Sequence, residues 1–261
     1  MGFLSYHNST PNPAQVYYRW SGGLKNVTLP DGTEAKQLKG ELAFFNGDEM
    51  EKVELPFVFC ALDQSFSVTG FNPSGNTRFY SNEFTSMNEP VRVTRQSEDG
   101  GAEVIAEDTY SHLKGHLPEG AKLQTNLYIY NPATDRIERI NLKGSALSAW
   151  IDFGKKNKGI YTHAIRMEVG EKKTVGTVDF LPPKFIIDTE YSKEDIKKLE
   201  AQATIVQEYL TSKRKSNMEG NSEMDSDDKV DQTPAQYDGE QSQEQSIPSE
   251  DGGLTLTAVP F

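Results

Sequence analysis

Cysteine is almost absent from this chain. Cys60 stands alone among 261 residues, so neither a disulfide nor a cysteine-built zinc site can form within one copy. A reducing compartment suits such a sequence, and the expectation is a cytoplasmic protein. Long apolar runs are also missing, because nowhere do eighteen such residues follow one another, and no membrane span is expected. No basic segment followed by an apolar stretch opens the chain, so no secretory leader is expected. Histidine is scarce at four residues. His112 and His116 stand four apart, yet Gly115 and Pro118 flank them and no carboxylate-bearing helix surrounds them. They read as a solvated turn, and no metal site is expected. A glycine-rich phosphate loop, a G-x-S-x-G elbow and an H-E-x-x-H helix are all lacking. Asp63, Glu83, Asp108 and Asp152 are scattered, so no catalytic residue and no cofactor is expected.

What the chain has instead is an uneven distribution of charge. The net charge is -12, but residues 216–261 hold eleven acids against the single base Lys229. The remainder carries 26 bases and 28 acids. A nearly balanced body can present a basic face while the whole chain stays acidic. The acidic segment is rich in Ser, Gln, Asp, Glu and Gly with almost no apolar residue until Ile247, too little to offset its ordering entropy, so it is expected to be disordered. Its last residues, Val259, Pro260 and Phe261 among them, turn apolar again, which suits a docking tip on a solvated tether.

Up to about residue 188 the pattern is of short strands broken by turns. Candidate strands fall at 15–20, 41–45, 52–62, 65–69, 77–84, 91–96, 103–107, 122–130, 136–141, 159–169 and 174–187. Turn signals such as Asn72-Pro73-Ser74-Gly75 and Asn131-Pro132-Ala133-Thr134-Asp135 separate them. Many short strands at this spacing predict a mostly β barrel or sandwich. A short inter-strand helix is predicted at 144–153, with Ser145 placed to cap it and Ala146, Leu147, Trp150 and Ile151 on one face. A longer helix is predicted over 192–215, opened by Ser192 and Asp195 as a capping pair. Its apolar positions, Ile196, Leu199, Ala203, Val206 and Leu210, suit either packing on the β domain or a self-associating seam. The division expected is a β domain at 1–191, the helix at 192–215 and the tail at 216–261.

Aromatics and bases interleave along the strands. Period-two alternation puts Tyr18 and Trp20 on one face with Arg19 on the other, and brings Arg78 and Tyr80 together. Tyr128 and Tyr130 also share a face. Lys155, Lys156 and Lys158 form a compact basic loop before Tyr161, while Lys143 and Arg166 add further cations. Stacking rings beside phosphate-binding cations are what sequence-tolerant binding of single-stranded nucleic acid requires. Two plainer readings stand beside this one: strand aromatics that build a core, and a lysine loop that is a solvated turn.

The series Leu55-Pro56-Phe57-Val58-Phe59, Ala61-Leu62-Asp63, Val68-Thr69-Gly70-Phe71-Asn72, Tyr80-Ser81-Asn82-Glu83 and Leu142 to Trp150 resembles bacteriophage single-stranded DNA-binding proteins. The resemblance covers residues 53–153. It implies an OB-fold, a small Greek-key barrel, and a non-catalytic protein that coats single-stranded DNA during replication or recombination. The acidic segment ending in Pro260 and Phe261 also resembles the C-terminal tails of such proteins, which implies docking to replication or recombination proteins. It departs from the bacterial pattern in that Gly252 to Pro260 separate the nearest acid, Asp251, from Phe261. A monomer or small homo-oligomer is expected. Two rivals remain at this point: a structural or assembly β protein of a virion, and a metal-dependent nuclease of a replication module.

Overall fold

A computed structural model describes residues 10–28, 32–46, 49–97 and 100–218. Val259, Pro260, Phe261 and all but the first three residues of the expected tail lie outside these. The chain begins with β1 (Tyr17–Ser21), β2 (Leu24–Thr28), β3 (Glu34–Leu38), β4 (Glu41–Asn46) and β5 (Glu49–Val53). It continues through β6 (Phe57–Asn72), β7 (Thr77–Ser81), β8 (Pro90–Gln96), β9 (Ala102–Thr109) and the single-turn α1 (Tyr110–Leu113). Then come β10 (Ala121–Asn131), β11 (Arg136–Lys143), α2 (Gly144–Lys156), β12 (His163–Val169), β13 (Lys173–Val175), β14 (Val178–Phe180), β15 (Pro183–Glu190) and α3 (Lys193–Met218). The fold is mostly β with a short helix between strands and a long one at the end.

Local chemistry accounts for the main boundaries. At the β10–β11 hairpin, Asn131 Oδ1 accepts from the Ala133 amide at 3.0 Å, and Asp135 takes a positive φ of 56° that closes the turn. Ser192 and Asp195 form the expected reciprocal cap: the Asp195 amide donates to Ser192 Oγ at 3.2 Å, and the Ser192 amide to the Asp195 carboxylate at 3.3 Å. Ser145 does not cap α2. That helix starts at Gly144, as expected, after an extended Lys143 whose side chain makes no capping bond.

The main sheet is mixed, in the order β5-β4-β1-β11-β10-β6-β7-β8-β9, with only β1 and β11 parallel. It does not close into a barrel. The sixteen-residue β6 pairs with β12 near its start, with β7 near its end and with β10 along most of its length, so the sheet forks. Beyond the fork, the chain entering β15 meets β1 through two bonds where a closed barrel would have a ladder. The Leu181 amide donates to the Gly22 carbonyl at 2.8 Å, and Trp20 Nε1 to the Leu181 carbonyl at 2.9 Å.

Three apolar clusters hold the layers together. One lies between the inner face of the forked sheet and α2, and includes Tyr18, Trp20, Phe59, Ile129, Ile140, Trp150 and Ile165. A second lies on the opposite face, where Leu199, Ala203, Val206, Tyr209 and Leu210 of α3 cover Cys60, Leu62, Tyr128, Tyr130 and Ile137. A third joins Phe66, Val68, Phe79, Phe84, Val91 and Leu113. Each large apolar side chain fully buried contributes about 1.5–3 kcal/mol. The α3 stripe is therefore a packing face on the β domain.

Candidate nucleic-acid interface

Residues directly opposite one another across strands point to the same face of a sheet, and so do positions two apart along a strand. The register thus maps the face that α3 half covers. One row across it reads Arg19, Asn141, Asn126, Ser65. The next reads Lys143, Gln124, Ser67. A third reads Lys122, Thr69, Tyr80, Thr94, and a fourth Phe71, Arg78, Gln96. At the α3 end the rows are buried; at the other end Lys122 is exposed, and Arg19, Thr69, Phe71, Arg78, Tyr80 and Lys143 are half-buried. From β1 to β7 this open region crosses four strand spacings, about 19 Å.

Four cations, Arg19, Lys143, Lys122 and Arg78, thus share one face with two rings, Phe71 and Tyr80. The rings are diagonal neighbours, since Phe71 faces Arg78 and Tyr80 lies two residues further along the same strand. That geometry separates their backbones by about 7–8 Å. Burial raises the Tyr80 phenol above its ordinary range, so it stays a neutral hydroxyl. Two oxygens beneath the face, Asn141 Oδ1 and Thr69 Oγ1, are buried without a hydrogen-bond partner among the described residues.

A buried polar network anchors the face beneath the end of α3. The Glu83 carboxylate accepts from Arg139 Nη1 at 2.8 Å, Tyr128 OH at 3.0 Å, Ser65 Oγ at 3.1 Å and Asn126 Nδ2 at 3.1 Å. The Arg139 guanidinium also lies 4.3 Å from the centre of the Tyr17 ring. Asn217, at the end of α3, donates to the Glu83 backbone carbonyl at 2.8 Å. This fixes the helix terminus beside the open rows, where Lys213 falls on the same side of α3 as Val206 and Tyr209.

The residues expected to bind nucleic acid divide into three groups. Arg19, Arg78, Tyr80 and Lys143 come together on the open face. Tyr18, Trp20, Tyr128 and Tyr130 are interior, at 5%, 9%, 0% and 7% exposure, and have no ring face to offer a base. Tyr18 and Trp20 share a face as expected, but it is the inner one, where Tyr18 OH donates to Glu138 at 2.7 Å. Burial, and then that bond, push its phenol far above the usual range. Tyr128 and Tyr130 lie under α3. The third group is remote from the open rows. Lys155, Lys156 and Lys158 are exposed at the C-terminal end of α2, which packs on the opposite face, and Tyr161 packs against the cluster around α2, its phenol pushed up to about 12 by burial and the nearby Asp63 charge. Arg166 sits on β12 between Val58 and Ile186, ion-paired with Glu168 at 3.3 Å.

The sequence pattern does not single out Phe71 or Lys122 as binding residues. Each is unremarkable in its own segment and gains meaning only from its cross-strand neighbours. Among the described residues no group of three or more His, Cys, Asp or Glu is placed to hold a metal, and no helix is long and apolar enough to cross a membrane. Compared with known proteins, the chain matches no family model, no curated protein and no solved structure.

Proposed function

We propose that this chain is a non-catalytic, sequence-tolerant single-stranded DNA-binding protein, and that the open sheet face is where the strand lies. The observation that carries the reading is the cross-strand register that gathers Arg19, Lys143, Lys122 and Arg78 around Phe71 and Tyr80. Bases would stack on the two rings, each contributing about 1–3 kcal/mol, while the cations meet phosphates. The neutral Tyr80 hydroxyl adds a hydrogen bond that favours no single base. Coating DNA in phage replication or recombination is the role that the sequence resemblance adds to this reading.

Fluorescence anisotropy with an unstructured oligothymidine tests it. The full chain should bind with an affinity that falls steeply with salt, and Tyr80→Ala should weaken binding about 5- to 150-fold, the equivalent of one stack. Lys122→Glu should weaken it too, whereas Lys155→Glu, on the other side of the molecule, should leave it nearly unchanged. Absence of binding at low salt, both in the full chain and after removal of residues 219–261, would refute the proposal. Degradation of the oligonucleotide with a divalent metal present would instead favour a nuclease.

A further inference from the structure

The β2–β3 hairpin departs from the rest of the fold. Its strands pair only with each other, in a two-stranded sheet separate from the main one. It springs from the body between Ser21 of β1 and Glu41 of β4, which are themselves a cross-strand pair. Most of its side chains are exposed, Leu24 at 45%. A lone two-stranded hairpin is marginal in water, and three or more strands are needed for independent stability. Its two outer edges differ. On β2, Lys25 is committed to Glu41 at 3.1 Å. On β3, Glu34 and Lys36 are exposed, lie two apart on one face, and have no ion-pair partner among the described residues.

We infer that the free edge of β3 is an interface for a second copy of this chain, which pairs antiparallel about a two-fold axis at Ala35. The backbone phase permits this register. The Lys39 amide donates to the Gly23 carbonyl at 3.4 Å, so the odd-numbered residues of β3 turn their backbone groups toward β2. Glu34 and Lys36 then turn theirs outward, free to exchange both ladder bonds with Lys36 and Glu34 of the second copy. Each two-fold pairing places the carboxylate of one copy directly opposite the ammonium of the other, twice. The alternative axis at Lys36 would set two ammonium groups face to face, which the charge pattern disfavours. Joined in this way, two marginal hairpins become one four-stranded sheet, with Glu34, Lys36, Leu24 and Leu38 sharing a face because Leu24 opposes Leu38. The inference does not depend on DNA binding.

Sedimentation of the full chain without DNA tests it through charge reversal. A species of twice 29.1 kDa is expected at micromolar concentration. Glu34→Lys and Lys36→Glu should each raise the dimer Kd about tenfold, because each converts two attractive cross-strand pairs into repulsive ones. The double variant, which restores opposite signs, should return to the starting Kd. A cysteine introduced as Ala35→Cys should form an intermolecular disulfide on mild oxidation, since a non-hydrogen-bonded antiparallel pair brings the two backbones to about 4.5 Å. A chain that stays at 29.1 kDa at high concentration overturns the inference. So does a dimer indifferent to either reversal, or one that Lys36→Cys traps in preference to Ala35→Cys.

Discussion

Removing the charge of Glu83 provides a sharp test of how the candidate face is held. The side chains of Glu83 and Arg139 are 7% and 6% exposed and 2.8 Å apart. Glu83→Gln preserves the shape and one acceptor oxygen but leaves the guanidinium without its counter-charge, and breaking a buried pair from one side costs about 3–5 kcal/mol. Arg139→Met should cost slightly less, because Tyr128, Ser65 and Asn126 still donate to the carboxylate. The double variant has no buried charge, and two of the three neutral donors can still meet the glutamine oxygen. It should therefore cost only about 1–3 kcal/mol, the scale of a few imperfect hydrogen bonds. The coupling across the cycle should amount to several kcal/mol, set against about 5–15 kcal/mol for a whole domain. Urea unfolding followed by tryptophan fluorescence measures it, since Trp20 and Trp150 are both buried. Single variants costing under about 1 kcal/mol each, or a double variant costing their sum, would refute the claim that this pair is desolvated and mutually dependent.

Other parts of the molecule give further tests. Arg19→Ala and Lys143→Ala should each lower the slope of log affinity for single-stranded DNA against log salt by about 0.7, the value for one lost phosphate contact; an unchanged slope would remove that residue from the interface. Val206→Ala, beneath the middle of α3 at 0% exposure, should cost about 1–3 kcal/mol in urea unfolding, while an effect below about 0.5 kcal/mol would mean that α3 is not firmly seated. Burial raises the Asp63 carboxyl above its ordinary range, although the Gln64 amide opposes this. The wild-type chain therefore loses stability as pH rises from the unfolded carboxyl value, about 3.9, through the raised folded one. Asp63→Asn should be stabilising at pH 7 and neutral at about pH 3, and a pH-independent difference would contradict the burial argument. Trp20→Phe deletes the bond to the Leu181 carbonyl and should speed amide exchange at Leu181, where the chain before β15 meets β1.

Much of the architecture was legible because burial imposes periodicity. Leu199, Ala203, Val206 and Leu210 repeat at three and four residues, and all are buried where α3 meets the sheet. Strands β10 and β11 were readable from the turn residues between them and the alternation within them. The β2–β3 hairpin left no such trace: neither of its faces is buried, so no apolar alternation was selected along it. Asp63 and Gln64 looked like a break between two strands. They are instead paired residues of one long strand, beside a bulge at Leu62 where the pairing with β10 slips between Tyr128 and Ile129. For the candidate site, alternation correctly placed Tyr18 with Trp20 and Arg78 with Tyr80. It does not say which face is covered, and both faces of this sheet are covered in different places, by α2 and by α3. Lys122, Thr69 and Tyr80 come from three segments, and only long-range register brings them into line.

The overall charge of -12 does not decide whether the open face can hold a phosphate backbone. At physiological ionic strength exposed charges are screened beyond about 8 Å, so a strand on the sheet responds to the side chains beneath it. Beneath it are Arg19, Lys143, Lys122 and Arg78. The acids of β9 face arginines of their own: Glu107 meets Arg92 at 3.1 Å, and Glu103 is paired with Arg95. Glu83 is buried and held by Arg139, and Glu41, beside Arg19 on the same face, is held by Lys25 and Lys52. The surplus of negative charge belongs to residues 219–261. That surplus governs solubility and the rate of approach of a polyanion more than the strength of the contact once made. The two effects separate experimentally. Deleting residues 219–261 should speed association with single-stranded DNA, most strongly at low salt, whereas Lys122→Glu should mainly speed dissociation. If the deletion acted only on dissociation, the acidic segment would have to lie within the interface itself.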